Sequence, residues 1–435
     1  MNKSKAYRAT DVNDVSIDEL GRKAAGRGAS VGIDVGKYQL HAVVRWSDGQ
    51  FERPWKVKSP AQIGLFVEHL RTLAERCAVT TALEPTGTYG DVLRDRLGQA
   101  GLPVLRVSGQ AAHDYAEAFD GVPSQHDGKD AAVIAELAAF GKSRPWPCRP
   151  PDEMTSELCY QVDWMDGQQR IRQLWMGRLE ALLARHWPEL TRLLDLSSVT
   201  LLEALSRYGG PAALVADAAA ARRLARWGRW PAGSATIVNV LASARQTIGV
   251  AQQPRDADRV RQYAAQALAA DREVRGASRR LEELASGHET LRRMGGVVGM
   301  ATAGVLWAVV GDPRNYPCGA AYRKAAGLNL KERSSGRYRG QLKITKRGPA
   351  LARRWLYFAA MRMVQNPAVK PWFEAKKAKD KDRGKGALIA VTRKLALALH
   401  AVGAQGATFD ARRLLPGKPA NADARATVSE AEIPY

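Results

Sequence analysis

A proline-rich segment divides the chain into two parts with different residue patterns. It covers residues 143–151 (SRPWPCRPP), and prolines at this density interrupt both helices and strands. Before it, apolar runs of strand length alternate with stretches of helical spacing, whereas after it the apolar residues recur at helical spacing. We therefore predict an α/β domain followed by helical domains, and 435 residues are enough for two or three domains.

The part before the prolines has strand and helix signals in the order βββαβαβ. Strands are predicted at residues 30–35, 40–46, 51–57, 79–83 and 103–107, and helices at residues 61–77 and 89–100. Asp48-Gly49 lies between the second and third strands and is a strong hairpin signal, so the first three strands are predicted to be antiparallel. In an α/β domain of this kind the functional site lies at strand ends.

The same patterns predict the domain boundaries. Residues 1–28 are predicted to be a flexible leader, 29–150 the α/β domain, 151–288 a helical connector, 289–412 a basic helical domain and 413–435 a disordered tail. In the connector, Trp, Leu and Arg recur at helical spacing, which indicates long helices packed as a pair or as a coiled coil.

The chain carries a large positive charge. Its 66 Lys and Arg residues outnumber its 44 Asp and Glu residues, and a net charge of +22 indicates a polyanionic partner, most commonly nucleic acid. An apolar content of 45% is typical of a folded protein and excludes disorder throughout. The longest apolar stretch, residues 297–311, is shorter than the roughly 20 residues that span a bilayer, so no membrane partner is expected.

Cysteines and histidines give no sign of a metal or disulfide framework. The four cysteines form no CxxC pair and suit a reducing cytoplasm. The N-terminus has no apolar signal-peptide core, so a cytoplasmic location is predicted. The seven histidines have no metal-ligand spacing and are interpreted as structural or surface residues.

The positive charge is concentrated in residues 331–390. This segment has 17 Lys or Arg residues against 4 Asp or Glu residues, whereas a solvated helix face normally interleaves both signs. Contact with a nucleic-acid backbone is the better interpretation. The candidate nucleic-acid-binding residues are Arg333, Arg337, Arg339, Lys343, Lys346 and Arg347.

Four acidic residues are candidates for a metal site. Asp34 ends the first of the predicted strands, in GIDVG, and Glu84 ends a later strand, in LEPTG. Asp127 and Asp130 are three residues apart at the start of an Ala-rich helix, so their carboxylates project from one face. Taken singly, each of these acids could also be an ordinary turn residue or a helix cap rather than a metal ligand. Together they supply the oxygen ligands for two divalent cations about 4 Å apart, as in enzymes that cut or transfer phosphodiesters.

These motifs, in this order, resemble a known family. GIDVGK, LEPTG and HDGKDA resemble the Asp-Glu-Asp-Asp transposases of bacterial insertion sequences, the group numbered one hundred and ten. The run AAGLNLKERSSGRYRGQLKITKRGPALARRWLYFAA is similar to the second domain of that family. The resemblance covers about residues 30–400 and includes the linker helices.

The resemblance implies a fold class. The N-terminal domain is expected to be an α/β ribonuclease-H-like domain similar to Holliday-junction resolvases. A helical or coiled-coil connector and a mainly α C-terminal transposase domain would follow it.

The resemblance also implies a mechanism and partners. Asp34, Glu84, Asp127 and Asp130 would be the catalytic acids that bind Mg²⁺, and Ser335 would be the nucleophile that forms a phosphoserine link to DNA. The partners would be donor and target DNA, a noncoding bridge RNA and further copies of the chain, as a dimer or tetramer.

Other interpretations of the same residues stay open. Ser334 is adjacent to Ser335, and without the resemblance the Ser-Ser-Gly sequence is an ordinary turn. A metal-dependent nuclease or junction resolvase would use the four carboxylates and water, without a serine. A non-catalytic nucleic-acid-binding protein would need the positive charge alone.

Overall fold

The protein forms two compact units, residues 1–150 and residues 151–435. A computed structural model describes residues 8–121, 126–146, 152–231, 233–332, 334–335, 338–340, 342–379 and 384–415. The predicted tail, residues 413–435, lies outside the described residues from residue 416 onward.

The first unit is built around one mixed sheet. Its strands are β1 (Thr10–Asp11), β2 (Ala29–Val35), β3 (Gln39–Trp46), β4 (Trp55–Lys58), β5 (Val79–Leu83), β6 (Val104–Val107) and β7 (Ser143–Pro145). Its helices are α1 (Ile17–Lys23), α2 (Ile63–Ala74), α3 (Asp91–Gln99), α4 (Gly109–Asp120) and α5 (Asp127–Ala139).

The strand order identifies the fold of this unit. The sheet runs β1-β4-β3-β2-β5-β6-β7. β4, β3 and β2 are antiparallel neighbours, and β5 and β6 continue the sheet beyond β2 as parallel strands. Three antiparallel strands followed by two parallel ones, with β2, the first of these five strands along the chain, in the centre, form the ribonuclease-H arrangement. The predicted fold class is confirmed.

Helix α5 lies unusually close to the central strand. A Cβ atom at Gly32 of β2 would overlap the carbonyl oxygen of Ala131 and the amide nitrogen of Ala135. Only glycine therefore allows the backbone of α5 to approach the sheet this closely. A largely buried ion pair between Arg45 of β3 and Glu136 of α5 adds a second attachment.

The edges of the first unit differ from the sequence predictions. Part of the predicted leader is ordered, because β1 pairs with β4 and α1 contributes the buried Leu20 to the core. Too few apolar residues occur there to produce a recognisable pattern. The predicted proline-rich boundary also begins with a strand, β7, whose single proline, Pro145, is tolerated because the strand lies at the sheet edge.

The second unit begins with a pair of long antiparallel helices. α6 (Glu153–His186) and α12 (Pro254–Gly287) each have 34 residues. Arg172 of α6 pairs with Asp271 of α12 at 3.1 Å, and Glu157 near the start of α6 pairs with Arg280 near the end of α12 at 3.5 Å. This pairing confirms the prediction of long helices packed together.

Shorter helices connect this pair and form a hydrophobic core against it. They are α7 (Leu190–Leu193), α8 (Val199–Tyr208), α9 (Pro211–Ala216), α10 (Ala220–Gly228) and α11 (Ala235–Arg245). Trp187 and Leu201 are buried in this core with Leu179 of α6.

The rest of the second unit is mainly helical, as predicted. Its helices are α13 (Glu289–Val298), α14 (Met300–Val310), α15 (Gly319–Ala325), α16 (Ala350–Met363), α17 (Lys370–Lys379), α18 (Lys385–Gln405) and α19 (Ala411–Leu414). Between α15 and α16 the described residues form four strands of two residues each, which the sequence analysis did not predict. They are β8 (Leu330–Lys331), β9 (Ser334–Ser335), β10 (Tyr338–Arg339) and β11 (Lys343–Ile344), with β8 paired to β11 and β9 paired to β10.

Two apolar segments of the described chain reach the length and composition of a membrane span. One is α18, and 56% of its most apolar window is buried inside the protein. The other counts only if α13 and α14, which are bent by 117° at their junction, are taken as one span. Buried core helices of soluble proteins have the same length and composition, so this is weak evidence for a membrane.

Candidate active site

Sheet register brings two of the predicted acids together. Ile33 of β2 pairs with Leu83 of β5 in a parallel ladder. The next residue along the chain is an acid in both cases, so Asp34 and Glu84 lie side by side at the carboxyl ends of β2 and β5. Both side chains are only partly exposed.

The first turn of α5 supplies the other two acids. Asp127 and Asp130 begin this helix, and His126 caps it by accepting a hydrogen bond at Nδ1 from the Lys129 backbone N–H, at 3.3 Å. The close approach of α5 to Gly32 places this turn within electrostatic reach of Asp34. The structure therefore brings all four predicted acids into one cluster, which we call the acid edge: Asp34, Glu84, Asp127 and Asp130.

Burial and neighbouring negative charge raise the pKa of three carboxyls of the acid edge. Burial, followed by the charges of Asp127, Asp130 and Glu84, raises the pKa of Asp34 to about 7. Burial and the charge of Asp130 raise the pKa of Glu84. Burial and the charge of Asp127 raise the pKa of Asp130 above its usual value. In the described part of the chain, His126 and Lys129 offset only part of this effect at Asp130, so the acid edge keeps an excess of negative charge when its carboxyls ionise.

The donor chemistry of the acid edge fits a hard divalent cation. Carboxylate oxygens are the ligands such ions prefer, and unbalanced negative charge favours binding. Within the described part of the chain, no three His, Cys, Asp or Glu side chains form a ready-made metal-binding group. The fold therefore brings the described acids close together, but their carboxylate oxygens are not already arranged around one common metal position.

The sequence analysis missed His41 at this site. Its Nδ1 lies 3.1 Å from Oδ2 of Asp127, and in the antiparallel β2–β3 ladder His41 is directly opposite Asp34. Its side chain is 11% exposed, and burial is the main cause of a lowered pKa. The first two of the predicted strands were expected to be antiparallel, and their register was the signal that could have pointed to this residue.

A basic cleft next to the acid edge was also missed. It has a volume of about 190 Å³ and is lined by Pro85, Arg106, Ser108, Gly109, Lys142, Ser143 and Arg144. A Cβ atom at Gly109 would lie 3.2 Å from Oε2 of Glu84, so the cleft borders that acid. Burial and the neighbouring charges of Arg144 and Arg94 lower the pKa of Arg106.

The predicted serines and basic residues belong to the second unit, and the acids to the first. Ser334 and Ser335 form β9, whose backbone pairs with β10. Of the basic candidates, Arg339 is in β10, Lys343 is in β11, and Lys346 and Arg347 follow β11. Lys343, Lys346 and Arg347 are exposed. Arg333 and Arg337 lie outside the described residues.

Solved structures with a similar fold include the resolvase RuvC. A structure entitled Thermus thermophilus RuvC structure overlays on 27% of this chain and 99% of its own, with 19% sequence identity and a TM-score of 0.21. A second, T. thermophilus RuvC in complex with Holliday junction substrate, covers the same shares with 17% identity and a TM-score of 0.22.

Curated relatives of similar length come from insertion elements. An uncharacterized 44.8 kDa protein of insertion element IS116 from Streptomyces clavuligerus is 28% identical over 82% of this chain and 89% of its own length. An uncharacterized 43.6 kDa protein of IS110 from Streptomyces coelicolor is 28% identical over 88% of this chain and 96% of its own. An uncharacterized 42 kDa protein of IS900 from Mycobacterium paratuberculosis is 27% identical over 84% and 93%.

Two family models match separate parts of the chain and together cover more than half of it. A transposase model of the DEDD type of IS110 matches residues 31–188, which include the whole acid edge. A model described as Transposase IS116/IS110/IS902 family matches residues 288–377, which include both serines. The chain therefore belongs to the IS110/IS116 family of DEDD transposases, enzymes that cut and recombine DNA.

Proposed function

We propose that this transposase cuts and exchanges DNA strands with Mg²⁺ bound at the acid edge and with Ser335 as the nucleophile. The observation that carries the proposal is the acid edge itself, in which burial and the charges of neighbouring carboxylates raise the pKa of Asp34, Glu84 and Asp130. Bound Mg²⁺ would stabilise the negative charge that develops on the phosphate during transfer. Asp34, Glu84, Asp127 and Asp130 are the residues that would hold it.

The acids and the serine have separate tasks in this proposal. The serine Oγ forms a bond to a DNA phosphorus, the bond from that phosphorus to the adjoining deoxyribose oxygen breaks, and the sugar leaves as a free hydroxyl. The serine proton passes to solvent, and the leaving oxygen takes up a proton. Ser334 is the alternative nucleophile, one residue away in the same strand.

The positive charge supports contact with nucleic acid. Lys343, Lys346 and Arg347 are exposed in β11 and just after it, in the same basic segment as the serines, and we assign them to backbone contacts together with Arg333, Arg337 and Arg339. The family resemblance supports a bridge RNA that pairs with donor and target DNA. A chain that acts on the cell's DNA would work in the cytoplasm.

An apolar stripe on α6 supports a homo-oligomer. Tyr160, Trp164, Ile171 and Leu174 are 59%, 41%, 43% and 52% exposed, and their spacing of four, seven and three residues puts them on one helix face. The opposite face of α6, with Leu158 and Val162, is buried. We propose that a second copy covers the stripe, because strand exchange needs more than one cut held in one complex.

The experiment that tests the proposal looks for a covalent protein–DNA adduct. Purified protein is incubated with Mg²⁺, the RNA transcribed from its flanking DNA, and labelled substrate, and the products are separated under denaturing conditions. We expect an adduct that mass spectrometry maps to Ser335. It should disappear with a chelator, with Asp34→Ala and with Ser335→Ala, and persist with the matched control Ser334→Ala.

Two other results would select the alternatives. Clean nicks without an adduct would indicate a nuclease or resolvase that uses the carboxylates and water. DNA binding that survives Asp34→Ala and Glu84→Ala, with no cleavage by the unmodified protein, would indicate a non-catalytic nucleic-acid-binding protein.

A further inference from the structure

Two arginines lie opposite each other on β6 and β7, the last two strands at one side of the sheet. Arg106 of β6 is directly opposite Arg144 of β7 in their antiparallel ladder. Like charges in this position destabilise a sheet. Among the described residues no carboxylate forms an ion pair with Arg106, Lys142 or Arg144, whereas the nearby Arg94 pairs with Asp91 at 2.8 Å. The fold therefore concentrates positive charge here without balancing it.

The uncompensated charge lines a cavity rather than a flat surface. Arg106, Lys142 and Arg144 border the basic cleft, together with two serines that can donate hydrogen bonds. Its volume of about 190 Å³ exceeds the roughly 30 Å³ that one water molecule occupies in the liquid, so it has room for a phosphate group and its waters.

Two further features of the cleft suit an anion. Gly109, which lines it, is the first residue of the twelve-residue helix α4, and no side chain caps that helix terminus. The ring of Trp146 lies 3.8 Å from the guanidinium carbon of Arg94 and 5.6 Å from that of Arg106, which holds the arginine side chains in place.

The cleft and the acid edge are neighbours on the same sheet. Pro85 follows Glu84 directly and lines the cleft, and Gly109 faces the Glu84 carboxylate. A nucleic-acid strand that places one phosphate at the acid edge has its adjoining phosphates within a few ångströms. One of these can reach the cations without leaving the surface of the first unit.

We propose that the basic cleft binds a backbone phosphate of the DNA strand that is being cut, next to the phosphate held at the acid edge. This inference rests on the proposed function, since it takes the strand at Glu84 to be the one that is cleaved. Arg106, Lys142 and Arg144 are positioning residues in it, because they hold the strand while other groups react. The guide RNA is the other source of a phosphodiester, and the test separates the two.

The test combines charge removal on the protein with charge removal on the DNA. The full chain binds a fluorescein-labelled duplex of the element's own end, with and without the RNA, with Ca²⁺ replacing Mg²⁺ so that binding is measured apart from cleavage. A series of duplexes carries one neutral methylphosphonate at each position in turn. The protein variants are Arg106→Gln/Arg144→Gln and the control Arg22→Gln/Arg96→Gln, which removes two exposed charges elsewhere in the same unit.

We expect the Arg106→Gln/Arg144→Gln variant to bind DNA about tenfold more weakly. The slope of log K for DNA binding against log salt concentration should become shallower by about 1 for each removed cation that contacts a phosphate. The control should change binding less than twofold. In the unmodified protein one methylphosphonate position should weaken binding, and the same position should have no further effect in the variant. If Arg106→Gln prevents folding, Arg144→Gln alone, at an exposed position, gives the same comparison.

The other outcomes overturn the inference. Equal losses in the variant and the control, or methylphosphonate effects that are unchanged in the variant, would show that the cleft holds no phosphate of the DNA. Loss of RNA binding with unchanged DNA binding would assign the cleft to the guide. Parallel reactions with Mg²⁺ score cleavage separately, so a protein that never cuts DNA but shows the position-specific loss would contradict the proposed function and support the phosphate cleft.

Discussion

The acid edge and the strands that carry the serines are built in different ways. Asp34 is the sixth residue of the seven-residue strand β2, and Glu84 directly follows the five-residue strand β5. Both strands lie in the interior of a sheet, and α5 is held against that sheet by close backbone packing at Gly32. Ser334 and Ser335 form a strand of only two residues in a basic segment. The difference teaches that the first unit positions its carboxylates by its own packing, whereas the segment around the serines is distinguished by its excess of positive charge.

The largest expected effect is the loss of a carboxylate from the acid edge. Asp34→Asn should lower the cleavage rate by roughly a hundredfold to a thousandfold, the scale of losing one group that stabilises transition-state charge. The control Asp95→Asn changes an exposed acid of α3 and should leave the rate within twofold. Single-turnover cleavage measures both rates, and equal rates for the two variants would show that Asp34 has no role in cleavage.

Packing of α5 on the sheet is tested by adding one methyl group. Gly32→Ala should reduce the free energy of unfolding by about 3 kcal/mol, because the new Cβ meets backbone atoms that cannot move aside. The control Gly98→Ala has no atom within 4 Å of the added Cβ and should be neutral or stabilising by up to about 1 kcal/mol. Urea denaturation measures the difference, and similar midpoints would contradict the close approach.

The raised pKa of Asp34 predicts a pH dependence of stability. Between its ordinary value of 3.8 and about 7 the folded protein keeps the proton that the unfolded chain loses, so stability falls as the pH rises. Without metal, the loss from about pH 5 to about pH 8 should be about 2 kcal/mol relative to Asp34→Asn, after allowing for the solvent that still reaches the carboxylate.

Urea denaturation in a chelator, repeated across this pH range for the unmodified protein and Asp34→Asn, measures that loss. Added Mg²⁺ should restore stability at the upper end of the range, since a ligand that binds only the folded state stabilises it. Parallel pH profiles for the two proteins would contradict the raised pKa of Asp34.

The smallest expected effect concerns the basic residues near the serines. Lys343→Gln/Lys346→Gln should weaken DNA binding several-fold for all DNA sequences. It should also make the slope of log K against log salt concentration shallower by about 1 for each lysine. Binding titrations at several salt concentrations give the slope. A change confined to one DNA sequence would instead indicate base recognition by these lysines.

Sequence patterns identified the four acids because their signals are local. Asp34 and Glu84 end apolar strands, and Asp127 and Asp130 share a helix face through their spacing alone. The serine assignment came from the resemblance of a continuous motif, and the structure describes only the backbone pairing of that strand.

Tertiary structure alone decided which residues surround those acids. His41 meets Asp127 through the packing of α5 on β3, and Arg106 meets Arg144 through the register of two strands separated by about 35 residues of chain. The approach of α5 to Gly32 likewise depends on atoms far apart in sequence. Periodicity records which face of an element is buried, so the sequence by itself determined the longer strands and helices and the acids they carry, whereas short elements such as β1, β7 and β9 left no periodic pattern. Packing over the whole unit decides which elements become neighbours. This packing therefore decided the geometry of the site.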